Sequence, residues 1–292
     1  MTIVISAYVG GRRVGFGVRS ADQYSSPASG AIILCDSLYS GTGVNEGERR
    51  VVAHGAQKMK PIAIKIGLPD LSPSGYPTGR AVPFGDWSCG VAFAGDVVFS
   101  LSVFGRFEEL ASGLCYGFDA SSQPPSYQIC LPRDPLVSAC NSLDEDVDFS
   151  PLELPRLSAQ FVADLLKGAI EDTLASFTGD GTSGYARLVE TSFALAVFCE
   201  EKKAPVIFEL LPHEKFNTAT ISKIEEGALL ILGAVSLSDR FVESLAAAGP
   251  GNELPALLHC LNEVIKEERD KKLIGGSAAV GVLDRHGFTV QQ

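Results

Sequence analysis

Residues 88–113 have the sequence SCGVAFAGDVVFSLSVFGRFEELASG, and their periodicity changes at Gly95. The part before Gly95 is short and mostly apolar, which is typical of a buried strand. After it, apolar residues recur every three or four positions as far as Gly113, and this predicts an amphipathic helix over 97–113. The chain therefore combines sheet and helix, and the order of its other segments decides the architecture.

The strand-like segments fall into two blocks and a last single strand. They are short and rich in apolar side chains, and glycine, serine or proline separates them. The first block comprises 2–9, 31–36, 62–67 and 88–93, the second comprises 192–199, 205–211, 218–224 and 228–233, and the last strand is 278–284.

Helical periodicity occurs in two pairs of segments, at 97–113 and 158–177 and at 237–248 and 253–270. Because helices do not alternate singly with strands, a doubly wound parallel sheet is not expected. The order favours an α+β fold. We expect a four-layer αββα sandwich, in which two antiparallel sheets pack face to face between helix pairs.

The whole chain, residues 1–292, is expected to form a single domain with insertions at about 10–30 and 115–157. The second insertion is rich in proline and contains the acidic stretch DEDVD at 144–148. We interpret it as a long solvated loop, with a partner-binding element as the alternative.

Charge and composition exclude several classes of protein. The chain has 24 Lys and Arg against 35 Asp and Glu, a net charge of −11, so no basic surface for nucleic acid is expected. No uncharged apolar run reaches the roughly 18 residues that a membrane span needs, and the N-terminus lacks the basic region of a signal peptide. These features predict a cytoplasmic protein that binds neither membranes nor nucleic acid.

The residues that bind metals or cofactors do not form a recognisable motif. The 7 cysteines are scattered without a C-x-x-C pair, and the 4 histidines lack partners at ligand spacing. Nucleotide-binding and common hydrolase motifs are absent as well. We therefore expect reduced thiols, no metal and no cofactor.

Thr2 is the residue on which a catalytic hypothesis can be built. Removal of Met1 would give Thr2 a free α-amine beside its own hydroxyl. Such an amine has a pKa of about 7.7 to 8.0 and can act as the base for that hydroxyl. One residue then supplies both nucleophile and base, but it needs a cation and a carboxylate from neighbouring strands.

Several segments resemble those of one family, in the same order. DSLYSG at 36–41 resembles the Asp-Ser-Arg-Ala-Thr-Ser turn of proteasome β subunits and of the related bacterial HslV peptidase, which are N-terminal-nucleophile hydrolases. KMKPI at 58–62 resembles their lysine and the apolar alternation after it, and VAFAGD at 91–96 resembles their Ala-Gly-Gly strand end. LLILG at 229–233 and GGSAAV at 275–280 follow the family's order.

The resemblance implies a role for each matching residue. Thr2 would be the nucleophile, Asp36 the orienting carboxylate, and Lys58 the cation that lowers the proton affinity at the nucleophile. Gly95 would donate its backbone N–H to the oxyanion. Val97 would lie at the base of the first specificity pocket.

Lys58 could instead be an ordinary surface lysine, and Lys60 is the alternative residue for the cationic role. The resemblance further implies a threonine peptidase or amidohydrolase of proteasome-like fold, with a peptide or protein substrate. It also implies a ring-shaped homo-oligomer, to which an ATPase or another regulatory partner could bind.

The alternative is a catalytically inactive structural or binding subunit of the same fold, similar to the family's α subunits. This alternative rests on Ala234 and Ile274, which stand where the family has serine.

Overall fold

The structure is a computed structural model that describes residues 2–10, 28–42, 49–53, 57–71, 77–119, 123, 126–131, 154–178, 190–213, 217–249, 251–268 and 274–291. In the first half, the elements are β1 (Ile3–Val9), β2 (Gly30–Asp36), β3 (Tyr39–Thr42), β4 (Arg49–Ala53), β5 (Met59–Leu71), β6 (Pro77–Ala94), α1 (Val97–Ser112), β7 (Leu114–Asp119) and β8 (Ser126–Cys130). In the second half they are α2 (Ala159–Thr178), β9 (Ser192–Cys199), β10 (Ala204–His213), β11 (Thr218–Lys223), β12 (Leu229–Gly233), α3 (Ser238–Ala247), α4 (Glu253–Glu268), β13 (Ala278–Asp284) and β14 (Gly287–Gln291).

Two sheets contain most of the strands. A five-stranded sheet has the order β12-β1-β2-β13-β14, and a seven-stranded sheet has the order β11-β10-β9-β6-β5-β7-β8. The expected α+β class is confirmed. The expectation of purely antiparallel sheets is corrected at one pair, because β5 and β7 run parallel where Ile66 lies opposite Leu114. The chain between them, β6 and α1, forms the crossover that a parallel pair requires.

Apolar side chains form three buried clusters around these sheets. One packs α1 and α2 against the seven-stranded sheet, one lies between the two sheets, and one packs α3 and α4 against the five-stranded sheet. Along β1, Ile3 and Ile5 face the helices, whereas Val4 faces the other sheet. A strand covered on both faces is apolar at successive positions, which explains the continuous run at the start of the chain.

Helix α1 begins where the sequence changes periodicity. The Asp96 side chain caps it by accepting a hydrogen bond of 2.9 Å from the Phe99 N–H. Gly95 has a φ of +135°, and a Cβ there would come 2.5 Å from Thr191 Cα. Both the positive φ and the close approach of Thr191 therefore require glycine at this position. The helix predicted over 97–113 is confirmed to within one residue.

Strands also occur in places where the sequence patterns do not predict them. The segment interpreted as a loop over 115–157 contains most of β7 and all of β8, which add two strands to the edge of the seven-stranded sheet. Tyr116 and Tyr127 in these strands are buried. The final strand, β14, was likewise not predicted. The acidic stretch 144–148 and residues 11–27 lie outside the described residues.

Candidate active site

Strand register brings the ends of four strands to one edge of the five-stranded sheet. Ile3, at the start of β1, lies opposite Gly233, the last residue of β12. Asp36, the last residue of β2, lies opposite Ala278, the first residue of β13. Thr2 directly precedes β1, so it lies at this same edge.

Asp36 is the most heavily bonded side chain at this edge. It is fully buried, and its Oδ1 accepts hydrogen bonds of 2.9 Å from the Ile3 N–H and 2.9 Å from the Lys58 ammonium. Its Oδ2 accepts longer bonds, 3.4 Å from the Leu38 N–H and 3.3 Å from the Gly275 N–H. These contacts from three chain segments and one lysine hold the carboxylate in a single orientation.

Lys58 crosses from the seven-stranded sheet to the five-stranded one. Its carbonyl oxygen accepts a hydrogen bond of 3.1 Å from the Phe93 N–H, which ties it to β6, while its side chain pairs with Asp36. Both side chains of this ion pair are 0% exposed. Burial lowers the pKa of the Lys58 ammonium, and the charge and hydrogen bond of Asp36 oppose that shift.

Gly233 lies against both Thr2 and Ala94. The α-carbon of Gly233 lies so close to the Thr2 carbonyl oxygen that a side chain would overlap it, and a Cβ there would be 3.2 Å from Ala94 Cβ. Ala94 precedes Gly95 directly. Strand alternation places the Thr2 side chain on the same face as Val4, which is the face toward the other sheet. The four residues expected in the site therefore lie at one end of the molecule.

Lys60, the alternative lysine, lies elsewhere. Its ammonium pairs with Glu108 of α1 at 2.6 Å, and the two side chains are 38% and 41% exposed. Of the two lysines, Lys58 is the one that contacts Asp36. Val97, expected at a specificity pocket, packs against the apolar cluster under α1.

Thr191 is a residue at this end that the sequence patterns did not identify. It is fully buried, and its Oγ1 accepts a hydrogen bond of 2.9 Å from the Asp96 N–H. It therefore fixes the backbone next to Gly95. Thr191 precedes β9, and Ser192 lies opposite Ala94, so knowing that β9 pairs with β6 would have pointed to it.

Ser37 and Ser277 are two further residues whose role was not recognised. The Ser37 hydroxyl accepts a hydrogen bond of 2.8 Å from the Ser277 N–H, and the two hydroxyl oxygens are 3.3 Å apart. They join the chain after Asp36 to the loop that carries Gly275. The motifs at 36–41 and 275–280 contain both serines, but no pattern in the sequence shows that the two motifs touch.

The positions expected to carry serine are apolar and buried. Ala234 and Ile274 are each 1% exposed and belong to the cluster under α3 and α4. Within the described ranges, no three His, Cys, Asp or Glu side chains are close enough to hold a metal ion. No helix in those ranges is long and apolar enough to cross a membrane.

Comparison with known proteins gives a likeness of fold. No family model matches the sequence, and no curated protein matches it. The arrangement resembles the proteasome-like N-terminal-nucleophile fold. A solved structure with this likeness is the Gly-1 mutant of Anbu from Hyphomicrobium sp. strain MC1, with a TM-score of 0.52 and 10% identity. The match covers 100% of this chain and 86% of that one.

The suspected membership in the proteasome β-subunit and HslV family is corrected by these comparisons. The solved structure described above is Anbu, whose 10% identity shows a likeness of fold alone, and no family model matches the sequence. The motifs that suggested it are short turns and strand ends. The residues in such segments are set by the fold, which requires a buried carboxylate at position 36 and a glycine at position 95. These requirements do not specify one family.

Proposed function

We propose that this protein is a threonine-type N-terminal-nucleophile hydrolase that cleaves peptide or other amide bonds, with Thr2 as nucleophile after removal of Met1. The observation that carries the proposal is the fully buried Lys58–Asp36 ion pair, whose shared carboxylate oxygen also holds the N–H of Ile3, the residue after Thr2. A buried pair is costly to desolvate, so its position beside the candidate nucleophile favours a functional role.

The reaction would use groups that this chain supplies. The neutral α-amine of Thr2 takes the proton of the Thr2 hydroxyl, and the oxygen attacks the carbonyl carbon of the amide. The Gly95 N–H donates to the oxygen that becomes negative. The leaving nitrogen takes the proton from the amine, which leaves an ester on Thr2. Water then hydrolyses this ester, and Thr2 recovers its proton.

Lys58 and Asp36 would act on the nucleophile through electrostatics. A cation beside the Thr2 amine and hydroxyl lowers the proton affinity of both, so that the amine is neutral near pH 7 to 8. Asp36 fixes the ammonium in place and keeps it charged against the effect of burial. Because both side chains are fully buried, water screens this effect little.

The proposal extends to architecture and assembly. The order of the three apolar clusters supports a four-layer αββα sandwich. On α1, Val98 is 66% exposed and Leu101 is 50% exposed, which favours a covering neighbour in a ring-shaped homo-oligomer. Light scattering should give a mass larger than a dimer of the 30.9 kDa chain, and a monomer mass would contradict the ring.

A catalytically inactive subunit of the same fold is the second candidate. The buried, apolar Ala234 and Ile274 favour it, because they supply no hydroxyl near the site. In that case the Lys58–Asp36 pair would serve only to join the two sheets.

The decisive experiment uses protein whose free Thr2 amine has been verified by intact mass. Fluorogenic peptides with an apolar residue before the scissile amide should be hydrolysed, and an electrophilic inhibitor should add one equivalent at Thr2. Thr2→Ala should abolish both signals, whereas Thr2→Ser should keep part of the rate because a hydroxyl remains. Thr289→Ala, at an exposed strand position, is the matched control and should behave as wild type. Absence of both turnover and labelling would replace this proposal with the inactive subunit.

A further inference from the structure

A second candidate site lies at the opposite end of the sheets. A cavity of about 510 Å³ is bordered by β6 around Trp87, by the turn between β9 and β10, and by the turn between β13 and β14. At about 3.3 Å per residue, the stretch of β6 from Ser88 to Gly95 spans about 23 Å. The cavity is therefore separate from the candidate active site.

The cavity is held open by a fixed contact between the two sheets. The Ser88 hydroxyl accepts a hydrogen bond of 2.7 Å from the Phe288 N–H. Gly287 has a φ of +119° and lies so close to this hydroxyl that a side chain would overlap it. The turn that carries Arg285 and His286 is thus anchored on β6, which makes the cavity part of the fold.

Aromatic and aliphatic side chains form the apolar part of the cavity. The Trp87 indole N–H donates to Glu200 Oε1 at 2.5 Å, which fixes the ring. Phe198 is partly buried, and Val197 and Leu157 are buried. A ligand would therefore meet an ordered apolar surface, as is usual in small-molecule sites.

Charged side chains of both signs surround this apolar surface. Lys203 and Arg285 are cationic, and Asp86 and Glu200 are anionic. Among the ion pairs of the described residues, none involves these four side chains. Arg285 Nε donates to His286 Nε2 at 3.1 Å, which leaves its two terminal nitrogens as donors.

We propose that this cavity binds a short apolar peptide with both termini free. Its carboxylate would bind Arg285 and Lys203, and its ammonium would bind Asp86 and the second oxygen of Glu200. Its side chains would pack on Trp87 and Phe198. A purely anionic ligand would meet two carboxylates, and an uncharged one would cover the charges without pairing them, which is costly. The volume lies within the roughly 300 to 1,000 Å³ of typical ligand sites.

The cavity contains the one tryptophan of the chain, so its fluorescence reports on this site alone. The test uses Thr2→Ala protein, which removes the candidate nucleophile, so that the probe is not consumed and the result does not depend on the proposed hydrolysis. Titration with leucyl-leucine should change the fluorescence saturably, with matching heat in calorimetry. Arg285→Gln and Lys203→Gln should each weaken binding by about tenfold, as expected for a charge-assisted hydrogen bond.

Lys202→Gln is the matched control, because Lys202 is an exposed neighbour outside the cavity lining. It should leave the affinity within about twofold, because Lys202 does not line the cavity and so cannot pair with the bound carboxylate. N-acetyl-leucyl-leucine and leucyl-leucine amide each lack one terminal charge and should bind about tenfold more weakly. The proposal is overturned by the absence of both a fluorescence change and heat. It is also overturned if N-acetyl-leucyl-leucine amide, which lacks both terminal charges, binds as tightly as leucyl-leucine, or if Lys202→Gln weakens binding as much as Lys203→Gln.

Discussion

Lys58 and Lys60 are two residues apart, and each ammonium contacts a carboxylate, yet their surroundings differ. Lys58 pairs with Asp36 at 2.9 Å, and both side chains are 0% exposed. Lys60 pairs with Glu108 at 2.6 Å, and the side chains are 38% and 41% exposed. The shorter contact, between Lys60 and Glu108, is the one that is more exposed to solvent. Distance alone therefore does not rank the two pairs, because solvent screening sets how strongly each charge acts on its neighbours.

The partner carboxylates explain the difference in burial. Asp36 accepts backbone N–H groups from β1, from the chain after β2 and from the segment before β13. These bonds satisfy oxygen atoms that would otherwise need water. Glu108 lies on the solvent side of α1, and its side chain remains 41% exposed where it pairs with Lys60. One pair is thus built into the junction of the sheets beside Thr2, whereas the other links a strand to a helix surface.

The largest difference between the two lysines should appear in catalysis. In protein with a free Thr2 amine, Lys58→Met should reduce kcat/KM for a peptide substrate by about 100- to 10,000-fold, the range for positioned groups that control proton transfer. Lys60→Met should change it by less than about twofold, since its charge is screened. Near-ultraviolet circular dichroism checks that both variants are folded. Equal losses in the two variants would remove Lys58 from the site.

The second largest difference between the two ion pairs should appear in the free energy of unfolding. Lys58→Met leaves the buried Asp36 carboxylate without its cation and should lower the free energy of unfolding by about 3 to 5 kcal/mol. Adding Asp36→Asn should recover part of that loss, because the buried charge is gone and the amide oxygen still accepts N–H groups on one side, whereas the amide nitrogen cannot accept those on the other. Lys60→Met should cost about 0 to 1 kcal/mol. Urea denaturation measures these variants and Asp36→Asn alone, and a double variant as unstable as the sum of its two single variants would argue against coupling in the pair.

The sequence contained different amounts of information about these regions. Helix α1 was predicted to within one residue because Gly95 and Gly113 mark its ends locally. Strands β7 and β8 were missed because proline and acidic residues nearby outweighed a weak alternation. These are local signals, and their reliability depends on how clearly the neighbours punctuate an element.

The candidate site depends on contacts that are distant in the chain. Asp36 and Lys58 were chosen through a resemblance of short motifs, and the family to which those motifs pointed was wrong. Their contact is observed in the structure, whereas their catalytic roles stay predictions. Thr191, which binds the Asp96 N–H from 95 residues away, and Ser277, 240 residues from Ser37, were not found. Only the order and register of the strands bring such residues together.

The pH dependence of stability should sharpen the contrast at Lys58. Burial lowers the pKa of this ammonium in the folded protein, so as pH falls below about 10.4, the unfolded chain takes up a proton before the folded one does. Wild-type stability should therefore fall from about pH 10.4 down to the native pKa of Lys58, by about 1.4 kcal/mol for each unit of separation. Lys58→Met should lack this slope. A parallel slope in both proteins would show that another group causes it.

Added salt should produce the smallest effect, and it tests directly whether solvent and ions screen each ion pair. The coupling energy of Lys60 with Glu108, from a double-mutant cycle with Lys60→Met and Glu108→Gln, should be about 0.5 kcal/mol at low salt. It should approach zero in 1 M NaCl, where the screening length falls to about 3 Å. The coupling of Lys58 with Asp36 should change little, because neither side chain contacts solvent and no ion can enter between them. Urea is the denaturant for both cycles, since it adds no ions. If salt reduces the two couplings by the same fraction, water reaches the Lys58–Asp36 pair, and the argument that its charge acts unscreened on Thr2 fails.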